Sequence, residues 1–221
     1  KRENFQRNML SKGLVESNDE DLIFMSDVDE IPNLENLKEI KKLNFFNQKM
    51  YYYKFNLEFE SRVWVGTRAC KKKHLISPQW LRNIKFKHYP FWRIDTIFSK
   101  KKYTNINFVD QGGWHFTNIK TPKEIHYKLS NFLHHLEYEH SGLKESDLEK
   151  IIKEKRIYYD HEVDKSVKKW KSAVKLKKVD IKDLPDYIKN NQHKLAKWFD
   201  SRLPLLSLSH HLKEYPTPKI R

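Results

Sequence analysis

From Tyr51 to Glu60 the chain takes strict turns between two sets of residues. Tyr51, Tyr53, Phe55, Leu57 and Phe59 alternate with Tyr52, Lys54, Asn56, Glu58 and Glu60. A period of two places each set on one face of extended backbone, which predicts a half-buried strand with Arg62 to Ala69 as its neighbour. The apolar face of such a sheet needs a cover, and helical spacing elsewhere in the chain supplies one. Residues 2–14 predict a helix with Phe5, Met9 and Leu10 on one face and Gly13 as its stop. Asn33 precedes Leu34, Leu37, Ile40 and Leu43 at helical intervals, a capped second helix. Thr121-Pro122-Lys123-Glu124 is a capping-box start for a helix running towards Tyr138, and Ser146-Asp147-Leu148-Glu149 starts another. Residues 184–199 predict a last amphipathic helix, and 201–221 an irregular tail. Extended segments over 84–98 and 103–119 accompany the Gly112-Gly113 break. Helices mixed with strands in this way predict an α/β fold, a mixed sheet flanked by helices, built as a single domain over 1–221.

The totals narrow what such a domain does. A chain of 221 residues with 38% hydrophobic content suffices for one core. No apolar run approaches the roughly 20 residues of a membrane span, and no cleavable leader pattern is present. The chain opens on Lys1-Arg2-Glu3-Asn4, inside its first predicted helix, so further sequence is expected upstream. Cys70 is the single cysteine, which excludes an intrachain disulfide and a cysteine-based metal site. No Asn-x-Ser/Thr acceptor occurs, which weighs against a lumenal, glycosylated setting. The formal net charge of +15 attracts polyanions, whether nucleic acid, anionic membrane or phosphate-bearing substrates; compositional bias towards lysine and asparagine is the plainer account.

Two Asp-x-Asp patterns bracket the apolar run Leu22-Ile23-Phe24-Met25. Asp19-Glu20-Asp21 precedes it and Asp27-Val28-Asp29 follows it. Ligands of open α/β sheets collect beyond the carboxyl ends of strands, so the second pattern is the one placed for chemistry. A turn there can bring Asp27 and Asp29 to one Mn²⁺ or Mg²⁺, an ion that binds few carboxylates and takes waters and substrate phosphates besides. The alternative is that Asp29 and Glu30 merely favour the N-terminus of the next helix. Phosphatases of the haloacid-dehalogenase type also place Asp-x-Asp after a strand, but Glu30-Ile31 stands where they carry glycine followed by threonine or valine.

The longer string Ser26-Asp27-Val28-Asp29-Glu30-Ile31-Pro32 resembles the signature of glycosyltransferase family 17. Arg2-Glu3-Asn4-Phe5-Gln6-Arg7-Asn8 is similar to the helix before that family's Asp-x-Asp strand. Gly112-Gly113-Trp114-His115-Phe116 resembles its Gly-Trp-His segment, Lys128-Leu129 with Phe132 and His134 the helix after it, and Leu184-Pro185 with Asn190 or Asn191 its last helix. The resemblance implies a Rossmann-like A-type fold whose first strand lies outside these residues. It also implies inverting transfer of a sugar, N-acetylglucosamine, from a UDP-sugar to a glycan hydroxyl in glycan biosynthesis. A Golgi membrane setting follows for eukaryotic members and a cytoplasmic one for a microbe or virus.

Sugar transfer leaves negative charge on the departing UDP, which a bound divalent cation neutralises. Asp29 is the expected direct ligand, Asp27 the contact through water or the ribose, and His115 either the imidazole that completes the metal site or a hydrogen-bonded structural histidine. Glu30 is assigned to the same centre as a supporting or catalytic carboxylate. Asp110, just before the glycine pair, is the candidate base for the acceptor hydroxyl, a turn-forming aspartate being the plainer reading. Of Arg2 and Arg7, one is a candidate for the nucleotide and the other a partner for Asp19 or Asp21; Lys128 is a candidate for the diphosphate or the acceptor, with a plain surface charge as the alternative. Trp114 is expected to stack on a sugar or to sit in the core, with Gly112 and Gly113 allowing a ligand to approach the backbone. A nucleic-acid-binding module is the competing class, supported by the charge and by the basic run 165–178 around Trp170. That run otherwise reads as a solvated helix face.

Overall fold

The sheet expected from the aromatic alternation is present, with a turn cut into the middle of that alternation. The computed structural model describes residues 2–200, apart from 88, 91, 97, 133–134, 161–168 and 171. Strand β3 spans Leu43–Tyr52 and β4 spans Leu57–Lys71, following β1 (Leu22–Met25) and β2 (Glu30–Pro32). Tyr53 turns the chain between them at a left-handed φ of 62°, so the segment from Tyr51 to Glu60 is a hairpin. Arg62 to Ala69 belongs to β4 itself and forms no separate neighbour. β3 pairs antiparallel with β4 on one side and parallel with β5 (Ile106–Val109) and β6 (Gly113–Thr117) on the other. Flanked on both sides, it is buried along most of its length. β1 lies antiparallel at one edge on β4, as does the short β7 (Lys177–Lys178), and β2 lies antiparallel at the opposite edge on β6. The fold is thus α/β, with a mostly antiparallel mixed sheet flanked by helices.

Helices cover the sheet where the aromatic residues ask for it. α3 (Pro122–Asn131), α4 (His135–Ser141) and α5 (Glu145–Lys153) lay Ile125, Leu129, Tyr138, Leu148 and Ile151 on Tyr52, Tyr53 and Phe59. Each such side chain taken from water contributes roughly 1.5–3 kcal/mol. The start of α3 is the expected capping box: Thr121 accepts from the Glu124 amide while the Glu124 carboxylate accepts from the Thr121 amide. Met25, Leu43, Phe45 and Cys70 form a second cluster with Trp80 and Leu81 of α2 (Pro78–Asn83). Cys70 is buried there, its thiol pushed up to about 11 by burial.

Several expected elements are different. Asn33 does cap, accepting from the Glu35 amide at 3.2 Å, but only a 3-10 turn over Leu34–Asn36 follows. The helix stops there because asparagines satisfy the backbone locally. Asn36 donates to the Gln111 carbonyl at 2.9 Å, and Asn44 both accepts from the Lys41 amide and donates to its carbonyl. The predicted first helix is α1 (Arg2–Met9) continued by a 3-10 turn to Leu14, and it leaves Phe5 and Leu10 exposed. The helix of 184–199 is broken at Asn191 into α6 (Asp186–Asn190) and α7 (Gln192–Leu195). Residues 84–98 hold no strand among those described. The described end of the basic run, Lys175 to Lys178, is extended on Arg156 and β4, while 165–168 and 171 lie outside the described residues. The tail 201–221 and His134 also lie outside them. No described helix is long and apolar enough to cross a membrane.

Candidate functional site

Residues 26–29 link β1, at one end of the strand order β1-β4-β3-β6-β2, to β2 at the other. β1 is therefore an antiparallel edge strand with Phe24 partly exposed, although its apolar run Leu22-Ile23-Phe24-Met25 is typical of a buried strand. The crossing is a tight turn: the Glu30 amide donates to the Asp27 carbonyl at 3.0 Å, and Val28 stands fully exposed at its tip. Ser26 anchors its start by a 2.7 Å hydroxyl contact to Thr67 of β4. The Glu30 carboxylate reaches back to accept from the Asp27 amide at 3.1 Å.

The turn sends its carboxylates two ways. Asp27 and Glu30 face arginines. Arg82 at the end of α2 bonds both, with 3.0 Å from its Nη2 to Glu30 Oε1, and its Nη1 donates to the Gly66 carbonyl at 2.8 Å. Arg7 of α1 approaches the other Asp27 oxygen at 3.6 Å and is held by Gln79 at 2.9 Å. Trp64 Nε1 donates to Glu30 at 2.8 Å, and the Glu30 side chain has no exposed surface. A buried carboxylate needs this much company, since leaving it unpaired costs several kcal/mol. Glu30 is consequently a structural clamp with no access to a substrate, and Asp27 is matched by guanidiniums on both oxygens. The Asp27 side chain nevertheless keeps 39% of its surface exposed.

Asp29 faces the opposite way, towards His115 on β6. The β2–β6 register sets Glu30 against His115, and the Phe116 amide donates to the Asp29 carbonyl at 2.8 Å. Asp29 Oδ2 is thereby 3.4 Å from His115 Nε2. The His115 ring stacks on Trp64 with centroids 4.6 Å apart and planes 12° from parallel, so its orientation is fixed. Burial pushes the Asp29 carboxyl up. The contact with His115, helped by the charges of His115 and Lys128 and by a backbone hydrogen bond, outweighs it and holds the group below the ordinary carboxylate range. Lys128 of α3 donates to Asn118 at 2.9 Å, and burial lowers its ammonium from the usual lysine value.

The remaining predicted residues lie elsewhere. Asp110 accepts from Asn47 at 2.9 Å in the link between β5 and β6. Trp114 points to the other face of β6 from His115, donates to the Asp183 carbonyl at 2.7 Å and packs, half-buried, against the cluster of Leu184 and Tyr51. The glycine pair admits the protein's own backbone: a Cβ on Gly113 would meet the Ile31 carbonyl oxygen at 2.0 Å, and one on Gly112 the Val109 carbonyl oxygen at 2.6 Å. Arg2 is exposed near the start of α1. Trp64, Arg82 and Asn118 complete the site and were not foreseen. Their one trace in the sequence is the demand of three crowded carboxylates for donors.

No protein-family model, no curated protein and no solved structure matches the chain. The donor set is thus judged on chemistry alone. Among the described residues no group of three or more histidine, cysteine or acidic side chains gathers at one point. Asp29, its side chain 35% exposed, and His115, buried beside it, offer one carboxylate and one imidazole. That pair fits an ion that draws its remaining ligands from water and substrate phosphate, and it does not fit a closed structural site.

Proposed function

We propose that the chain is a metal-dependent glycosyltransferase that moves a sugar, N-acetylglucosamine by its resemblance, from a UDP-sugar to a glycan hydroxyl on a Rossmann-like A-type fold. What carries the reading is the convergence of Asp29 and His115, residues far apart in sequence that were assigned to one cation on independent motifs. Asp29 and His115 would hold Mn²⁺ or Mg²⁺, which supplies charge neutralisation for the leaving diphosphate. Trp64 fixes the imidazole plane, and its bond to Glu30 ties that plane to the turn carrying Asp29. The Arg82 and Arg7 contacts to Asp27 hold the turn from behind. Lys128 adds a positive charge beside Asp29, placed to meet a phosphate oxygen.

The test is UDP release from UDP-N-acetylglucosamine in the presence of a glycan acceptor, with Mn²⁺ or with EDTA. Loss of a metal ligand or its support costs at least about tenfold. Release should require Mn²⁺ and fall by at least about that factor in His115→Ala, whereas release indifferent to both EDTA and His115→Ala would contradict the reading.

A further inference from the structure

On the far side of Arg82 from Glu30 lies a cleft of about 630 Å³ between the end of α2 and the segment from Lys85 to Lys102. Six of its ten lining residues are cationic, Arg68, Arg82, Lys85, Lys87, Arg93 and Lys102, and none is acidic. Three carboxylates answer them. Arg82 has Asp27 and Glu30, while Arg93 and Lys102 share Asp95 at 2.6–2.8 Å. Arg68 is buried beneath and donates from Nη1 to the Leu81 and Ile84 carbonyls at 2.8 Å, capping the negative end of α2. Its Nε finds no hydrogen-bond partner among the described residues. Burial first, and then the neighbouring Arg82, pull its guanidinium down to about 10. Lys85 and Lys87 have no carboxylate within ion-pair reach among the described residues. Tyr89, buried under the Arg93 guanidinium, adds an aromatic wall.

Cations are seldom gathered in a concave surface without an anion to hold, because like charges at this spacing repel. We propose that this cleft is a binding site for a phosphate-bearing ligand, gripped by Lys85 and Lys87 with Arg82 and Arg68 behind them. The group it takes is a phosphomonoester or diphosphate, whose oxygens accept charge-assisted bonds from several donors at once. Such a group has two sources, the diphosphate of a nucleotide and a phosphate carried on a second substrate. The site does not depend on the transferase reading, since it needs neither Asp29 nor a metal.

Titration of inorganic pyrophosphate into the full chain in EDTA tests it, comparing wild type, Lys85→Ala/Lys87→Ala and a control, Lys150→Ala/Lys153→Ala, which removes equal charge from the exposed face of α5. We expect pyrophosphate affinity to fall about tenfold or more in the cleft variant and to stay within about twofold in the control. Thermal melting of all three establishes that they are folded. Adding UDP then separates the sources: displacement of pyrophosphate assigns the cleft to a nucleotide diphosphate, and joint binding assigns it to a second substrate. Equal weakening in both variants, or no pyrophosphate binding by wild type, would overturn the proposal.

Discussion

The Glu30 side chain shows how one residue is decided by its partners. Taken alone it is an acid beside an Asp-x-Asp pattern. Placed in the fold it accepts from Trp64, from the Asp27 amide and from Arg82, with no exposed surface. Truncating one partner of a buried pair strands the other, at about 3–5 kcal/mol. Glu30→Ala should therefore lower unfolding stability by about that amount in urea titration, and a change near zero would show the clamp to be dispensable. His115 was legible as a ligand candidate from the residues before it. Its ring plane was not, since Trp64 lies on another strand and nothing in local spacing brings the two together. Asp110 was read from nearness in sequence to the glycine pair, and its contact with Asn47 of β3 could not be read that way.

At the scale of elements, backbone contacts explain what side-chain patterns did not. β2 closes on β6 only because Gly113 lies at a φ of 130° with no Cβ to meet the Ile31 carbonyl oxygen. Gly113→Ala should cost more than about 2 kcal/mol and loosen the approach of Asp29 to His115. Gly142→Ala, at a φ of 70° with open space around it, should cost only about 1–2 kcal/mol by the same denaturation measurement. β4 carries Glu58, mostly buried opposite Tyr51, with Lys49 at 3.5 Å. Burial raises its carboxyl above the ordinary range despite that lysine. A raised folded value means the protonated form is the favoured one in the native state. Stability from Glu58 is thus present below its unfolded value and lost as pH rises through the folded one. Glu58→Gln should raise the melting temperature at pH 7.5 and leave it nearly unchanged at pH 3.5; a drop at pH 7.5 would reverse this sign. The strands and the α3 cap were legible because period and capping chemistry are local. The missing helix over 34–43 was not, because Leu34 and Leu37 fit a helical stripe while Asn36 and Asn44 held the backbone elsewhere.

At the scale of the whole molecule, the sheet topology creates the site. A short crossing turn between opposite edges of one sheet points Asp27 and Glu30 at Arg82 and Asp29 at an imidazole. Arg7 and Arg82 answer the carboxylates of the turn, and Lys85 and Lys87 line the cleft proposed to take a phosphate. The proposed chemistry stands on Asp29 and His115 accepting a divalent cation that in turn holds a nucleoside diphosphate. Calorimetric titration of UDP, with and without Mn²⁺, into wild type and Asp29→Ala addresses that claim most directly. The account predicts that Mn²⁺ strengthens UDP binding by at least about tenfold in wild type and does nothing in Asp29→Ala. Equal affinity in all four mixtures would contradict it.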